Sequence, residues 1–308
     1  MKVLKIGIIG LGNICEKAYL PVVTSLDDVE LIFCTRNINK LKYYSEKYRV
    51  SEYVASVDEL INKNIEAAFI HTATESHAEI IEKLLNNNIH VYVDKPISYS
   101  YEDAVRLSNL AKSKNKIFMV GFNRRFAPMY SNLENMGLPT IIKLEKNRLD
   151  SPKDPIVFVL DDFIHVLDTI RFLAKDNLEV LNVSGKKKDG LLYNLIVTLG
   201  NDKTTCIAMM NRESGANEEV LEYYTSGTKV IVKDLVNSNV LSENTEKLLK
   251  FNDWDTILYR RGFEVIIKEF IKAVKDHNQD NLPIEDSLET HKLCFEILNK
   301  IHEIKEVK

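Results

Sequence analysis

The feature that most limits the fold is a series of short, unbroken apolar runs within the first 122 residues, separated by stretches with helical spacing. Lys5-Ile6-Gly7-Ile8-Ile9-Gly10, Val29 to Cys34, Ala67 to His71, Ile89 to Val93 and Ile117 to Val120 read as strands. Their apolar character is continuous rather than alternating, as expected of strands covered on both faces. Glu16 to Leu26, Leu41 to Tyr48, Ser76 to Asn87 and Ser100 to Ser113 read as helices, the last opened by a capping box at Ser100-x-x-Asp103. Strands joined by helices imply right-handed crossovers and a doubly wound parallel sheet.

Beyond about residue 124 the texture changes. Ile141 to Leu149, Leu178 to Ser184, Leu191 to Leu199, Thr204 to Met210, Val220 to Thr225 and Lys229 to Val232 read as strands, several joined by tight turns such as Asp189-Gly190 and Ser226-Gly227. Short turns imply antiparallel pairing. Helices are expected at Val159 to Ala174, Leu258 to Lys275 and Ser287 to Ile304. The expected architecture is an α/β Rossmann domain over 1–122 and an α+β domain over 123–308. The second carries a mostly antiparallel, open-faced sheet, and the C-terminal helix packs back on the first.

Bulk properties exclude several classes. With 308 residues, 45% hydrophobic and 28% charged, the chain is of ordinary globular composition. A net charge of -4 gives no nucleic-acid surface. No run reaches the ~20 apolar residues of a membrane span, and no signal peptide is recognised. Cys15, Cys34, Cys206 and Cys294 form no C-x-x-C pair, which fits a reducing cytoplasm and neither a zinc site nor a disulfide framework. A zinc-dependent dehydrogenase fails on the same ground, and no metal is expected.

Gly10-Leu11-Gly12-Asn13-Ile14-Cys15 follows the first strand and opens the first helix, the context of a dinucleotide-binding turn. The first glycine permits the turn, and the second lets the backbone approach a pyrophosphate at the helix start. Cys15 stands where the fingerprint has its third glycine. At the end of the second strand, where NAD-binding chains place an acid, this chain has Thr35, Arg36 and Asn37, with Lys40 just beyond. Those groups suit a 2′-phosphate, so NADP(H) is preferred and NAD(H) stays open. Thr72, Ala73, Thr74 and His77 follow the next strand, where a cofactor could lie; His77 could equally be a plain helix-start histidine. Asp94-Lys95-Pro96 ends the strand after that, and Asp94 and Lys95 are expected at the cofactor as well.

Taken in order, Gly10 to Ile14, Thr72 to His77, Asp94-Lys95-Pro96, Gly121 to Phe126 and Asp161-x-x-x-His165-x-x-Asp168 resemble the glucose-fructose oxidoreductase / inositol dehydrogenase (Gfo/Idh/MocA) family, nearest its MviM-type branch. The family has Glu-Lys-Pro where this chain has Asp94-Lys95-Pro96, and Thr-Pro-Asn where it has Thr72-Ala73-Thr74. The resemblance implies an NAD(P)-dependent oxidoreductase acting on a sugar, cyclitol or similar polar substrate. It also implies a homodimer or homotetramer that buries the open sheet.

Alcohol oxidation needs a base for the hydroxyl proton, and ketone reduction an acid at the same place. Lys95, Asp161 and His165 are the expected catalytic groups: His165 and Lys95 handle the proton, and Asp161 tunes them. Asp161 and His165 are expected on one helix face, with Asp168 a turn on, in a buried charge network joining the domains. Arg124 and Arg125 follow the last Rossmann strand, at the domain junction; either an interdomain ion pair or a contact to cofactor or substrate is open to them, and Arg125 matches the family's arginine. Trp254, Arg260 and Arg261 could line the pocket, and the loop from Asp150 to Pro155 could cover it. A rival reading is an NADP(H)-binding sensor or scaffold without turnover.

Overall fold

The computed structural model describes residues 3–279 and 283–307. Its contacts gather the chain into two compact units, Met1–Gly121 with Phe263–Leu288, and Phe122–Gly262 with Glu289–Lys308.

The first unit is built on β1 (Leu4–Ile9), β2 (Val29–Cys34), β3 (Glu52–Val54), β4 (Ala67–Ile70), β5 (His90–Val93) and β6 (Phe118–Val120). They pair in parallel in the order β3-β2-β1-β4-β5-β6. Every residue of β4 and β5 is buried, as their unbroken apolar runs require. The connections carry α1 (Leu20–Val23), α2 (Ile38–Tyr48), α3 (Val57–Ile61), α4 (His77–Asn86) and α5 (Tyr101–Ser113). Ser100 caps α5 by accepting from the Asp103 amide at 3.1 Å, the bond the capping box foretells. The later helix Phe263–Asp276 packs on this sheet, with Phe270 set 5.0 Å from Phe69 and 5.4 Å from Tyr92 between ring centres. One expected helix differs: Cys15–Tyr19 forms a wider π turn before α1 begins.

The second unit is built on β7 (Ile141–Leu149), β8 (Glu179–Lys188), β9 (Leu191–Gly200), β10 (Thr205–Ser214), β11 (Glu218–Thr225), β12 (Thr228–Lys233), β13 (Asn237–Ser242) and β14 (Thr245–Leu249). Their order is β14-β13-β12-β11-β7-β10-β9-β8, antiparallel throughout except for β7 beside β10. Burial alternates along the central strands: Ile142, Leu144 and Lys146 on β7 point inward, as do Cys206, Ala208, Met210 and Arg212 on β10. The short helices α6 (Pro128–Ser131) and α7 (Pro155–Val157) precede α8 (Ile164–Ala174), which packs on β7 and β10; α9 (Ile257–Arg260) follows the sheet. The closing helix runs Ile284–Ile301.

The single helix expected at Val159 to Ala174 is in fact α7, a π turn at Phe158–Phe163, and α8. The helix expected at Leu258 to Lys275 is likewise divided, at Gly262. Among the described residues no helix is long and apolar enough to cross a membrane, and no group of three or more His, Cys, Asp or Glu is placed to hold a metal ion.

Candidate active site

The order of the parallel sheet reverses between β1 and β4, the place where such sheets bind ligands beyond their carboxyl ends. A cleft of about 710 Å³ lies there. Of the residues expected at the cofactor, Gly10, Gly12, Thr35, Arg36, Asn37, Lys40, Thr72 and Ala73 line it.

The glycine turn has two distinct causes. Gly10 adopts φ +87°, and a Cβ there would come within 2.8 Å of the His71 carbonyl, so the fold itself demands glycine. At Gly12 a Cβ would meet nothing closer than the His71 oxygen at 3.8 Å. Internal packing therefore leaves room for a side chain at Gly12, and the need for close approach by a ligand accounts for the glycine. Cys15 is fully buried at the foot of the π turn, where burial holds its thiol well above the usual range. Asn13 and Ile14 lie exposed at the helix start, Ile14 at 40%.

Two of the polar groups at the end of β2 also serve the fold. The Asn37 side chain accepts from the Lys40 amide at 3.1 Å and so caps α2. Lys40 Nζ donates to the Leu11 carbonyl at 3.2 Å, tying α2 to the glycine turn. Arg36 lies exposed beside them. Asp58, one of the carboxylates lining the cleft, is paired with Lys83 at 2.6 Å.

Thr74 begins a short 3-10 turn before α4. His77 is buried, with Nδ1 2.9 Å from the Pro96 carbonyl and Nε2 3.2 Å from that of Thr72. It thus brackets the loop after β4 to the loop after β5. In the second loop Lys95 is half-buried, its peptide to Pro96 is cis, and its amide donates to Asp94 Oδ1 at 3.1 Å. Burial raises the Asp94 carboxyl above its usual range, opposed by the charge of Lys95.

In the second unit Asp161 falls within the π turn and His165 at the start of α8, both half-buried. The wider turn replaces the one-face α-helical spacing expected of that pair, and π turns inside helices are frequent at functional sites. Asp168 is 1% exposed and binds Arg125, whose Nε donates to Oδ2 at 2.9 Å; Thr290 donates to Oδ1 at 3.0 Å. The ion pair open to Arg125 was expected between the domains; the pair with Asp168 lies instead within this unit. Trp254 is 94% exposed.

Sequence reasoning missed a buried charge cluster at the same end of this sheet, formed by Lys146, Asp162, Arg212 and Glu219. Strand parity carries the signal. Lys146 continues the inward series Ile142, Leu144, and Arg212 continues Cys206, Ala208, Met210. The Lys146 ammonium is bonded to Asp162, and Arg212 Nη2 donates to the same carboxylate at 2.6 Å. Those cations hold Asp162 well below the usual carboxylate range against the opposing effect of burial. Arg124 grips Glu219 in two-pronged fashion at 2.8 and 2.6 Å, and Tyr130 donates to the same carboxylate at 3.0 Å.

A glycine turn at the switch point of a six-stranded parallel sheet, joined in one chain to an open-faced eight-stranded sheet, defines a nucleotide-dependent oxidoreductase architecture. Residues 4–122 match the model described as an oxidoreductase family with an NAD-binding Rossmann fold, and residues 128–243 match that of a YceM-like C-terminal domain. The chain belongs to the Gfo/Idh/MocA oxidoreductase family. A protein named YceM from Salmonella typhimurium is 34% identical over 283 residues, covering 90% of this chain and 91% of that one. A myo-inositol 2-dehydrogenase from Thermotoga maritima is 22% identical over 99% of this chain and 98% of its own. The crystal structure of a dehydrogenase (MviM) from Clostridium difficile superposes with TM-score 0.93 at 32% identity, covering 97% of this chain and 100% of that one. The protein is therefore an oxidoreductase with an NAD(P)-binding Rossmann domain.

Proposed function

We propose that the protein moves a hydride between NADP(H) and a hydroxyl-bearing or keto carbon of a sugar, cyclitol or related small polar compound. One observation carries this reading: Lys95 stands half-buried at the carboxyl end of β5, on the sheet edge that also carries the glycine turn and its cleft. The nicotinamide, when bound, supplies the hydride acceptor or donor. In oxidation the substrate hydroxyl gives its proton to His165 while the Lys95 ammonium stabilises the developing alkoxide; in reduction the proton returns to that oxygen. Asp161 orients His165. Thr72, Ala73, Thr74 and the Gly10–Ile14 turn hold the cofactor. Arg36 and Lys40 recognise the 2′-phosphate, since the adjacent acid Asp58 is already paired with Lys83. The resemblance to an inositol dehydrogenase supports the substrate class. The outward sheet face, with Ile196 at 39% exposure beside Ile207 and Met209, supports pairing with a second copy of the chain.

The test is turnover of a panel of inositols, polyols and keto sugars with NADP⁺ or NADPH. In Lys95→Ala, kcat is expected to fall by about 10² or more, while NADPH affinity, followed by fluorescence, stays within a few-fold. Unchanged kcat in that variant would sink the mechanism. A silent panel beside tight NADPH binding would favour a protein that holds the nucleotide without turning over.

A further inference from the structure

The charge cluster of the second unit is out of balance. Lys146 faces Met210 of β10 on one side and Glu219 of β11 on the other, with its side chain 2% exposed. Its ammonium meets the Asp162 carboxylate and, at 3.4 Å, the Asp162 carbonyl oxygen. Arg212 donates to the same carboxylate, and Arg148 Nε lies 3.5 Å from it. Three cations thus share one carboxylate. Next to them Arg124 and Glu219 neutralise each other, so that pair does nothing to correct the excess. Among the described residues, the cations on this carboxylate are Lys146, Arg148 and Arg212, against Asp162 and, one residue away in the same turn, Asp161.

Surplus charge away from water is costly unless a counter-charge completes the site. Two details single out the side chains that a counter-charge would meet. Arg212 Nη1 serves Ser151 at 2.8 and 3.2 Å and Nη2 serves Asp162, yet its buried Nε has no hydrogen-bond partner. Arg148 differs from its buried neighbours in being 32% exposed, so it offers the cluster's charge to solvent.

We propose that Arg148 and Arg212 form an anion subsite, and that the compound worked on beside Asp161 carries a carboxylate or phosphate group that seats on it. The guanidinium fork matches either group, and the subsite narrows the substrate to acidic sugars or polyols. The identity of the anion as substrate rests on the hydride-transfer reading; the binding of an anion does not.

The free protein relieves the imbalance in another way. Burial first, then the charge of Arg124, pushes the Lys146 ammonium down to about 7, against the pull of Asp162 and Glu219. A bound anion restores the balance and so returns a proton to Lys146. Binding above neutrality is therefore accompanied by proton uptake.

The experiment is calorimetric titration of the full-length protein, saturated with NADP⁺ so that the phosphate-binding turn of the first unit is filled. Inorganic phosphate, D-gluconate and neutral D-glucitol are each added at pH 8, in two buffers of different ionisation enthalpy. At least one anion is expected to bind, tenfold or more tighter than glucitol, with net proton uptake. The anion that binds tighter identifies the group as phosphate or carboxylate. Arg148→Gln is expected to weaken that anion at least tenfold while leaving NADP⁺ affinity unchanged, with amide-exchange protection of β7 and β10 as in the parent protein showing that the second unit is folded. Failure of both anions to bind, or equal binding by Arg148→Gln, overturns the proposal. If the anion binds as expected but no acidic polyol is turned over, the subsite stands and the hydride-transfer reading fails.

Discussion

Arg124 and Glu219 show how much a single contact can carry in the second unit. Both side chains are at most 10% exposed, and they meet through two charge-assisted hydrogen bonds. Removing one partner of such a pair strands the other charge out of water, at a cost of about 3–5 kcal/mol. Glu219→Gln, which keeps the shape and loses the charge, is expected to destabilise the second unit by about that much in urea unfolding. Replacing both partners with methionine is expected to cost less than Glu219→Gln alone. A loss below about 1 kcal/mol in the single variant would show that the pair is already hydrated. The arginine was legible in the sequence only as a residue with open alternatives, and the glutamate not at all. Glu218 and Glu219 are adjacent and chemically identical, and only the register of β11 against β7 decides that Glu219 faces inward opposite Lys146. Gly10, Arg36 and Lys95 were easier to find, because each follows directly from the end of a strand that its own apolar run announces.

Elements follow the same logic. β2 lies where its apolar run places it, and the two-residue turn Asp189-Gly190 has positive φ at both positions, as its sequence suggests. β13 and β14 were not anticipated. Their turns, Asp234-Leu235 and Glu243-Asn244, take positive φ at both positions without any glycine, and Leu235 at φ 62° carries no local signal for it. β3 and α3, at three and five residues, are too short to show a period. Gly262 is where helical spacing misleads. The apolar pattern runs on from Leu258 to Lys275, yet Gly262 at φ +78° ends α9 and turns the chain before the next helix. A Cβ there would lie 2.2 Å from the Asn123 carbonyl oxygen and 2.7 Å from the Ala127 amide nitrogen, both backbone atoms that cannot swing aside. The left-handed conformation alone costs a side-chain-bearing residue roughly 1–2 kcal/mol, and the collision adds to that. Gly262→Ala is expected to lower stability by more than about 2 kcal/mol. A chemical-denaturation loss under 1 kcal/mol would mean that this turn can relax.

On the scale of the whole molecule, the two units should answer acid differently, because the buried acid-titrating groups shifted downward are histidines in the first and carboxylates in the second. The first buries neutral histidines. Burial depresses His71 to about 3, and burial with the charge of Lys116 depresses His90 to about 4. In the unfolded chain both take up a proton near 6.5, so between about 6.5 and 4 the unfolded state binds more protons and stability falls as pH falls. Each histidine contributes a slope of up to about 1.4 kcal/mol per pH unit across its window. The second unit instead buries Glu219 and Asp162, both held below the usual carboxylate range despite burial, by Arg124 and by Lys146 respectively. Their contribution is complete above about 4.5 and is lost only as pH falls further, toward the depressed values. Amide exchange followed by mass spectrometry at pH-corrected rates separates these legs. Peptides covering β4 and β5 are expected to lose protection between pH 6.5 and 4.5. His71→Phe isolates the cause. Neither ring nitrogen of His71 has a hydrogen-bond partner, and the ring lies 3.9 Å from Tyr19 and 6.1 Å from Phe69, so phenylalanine takes its place among aromatic neighbours without stranding a polar atom. The variant should flatten the acid slope of the first unit by the share of one histidine. An unaltered slope would show that His71 is charged or solvated in the folded protein, and that the acid sensitivity lies elsewhere.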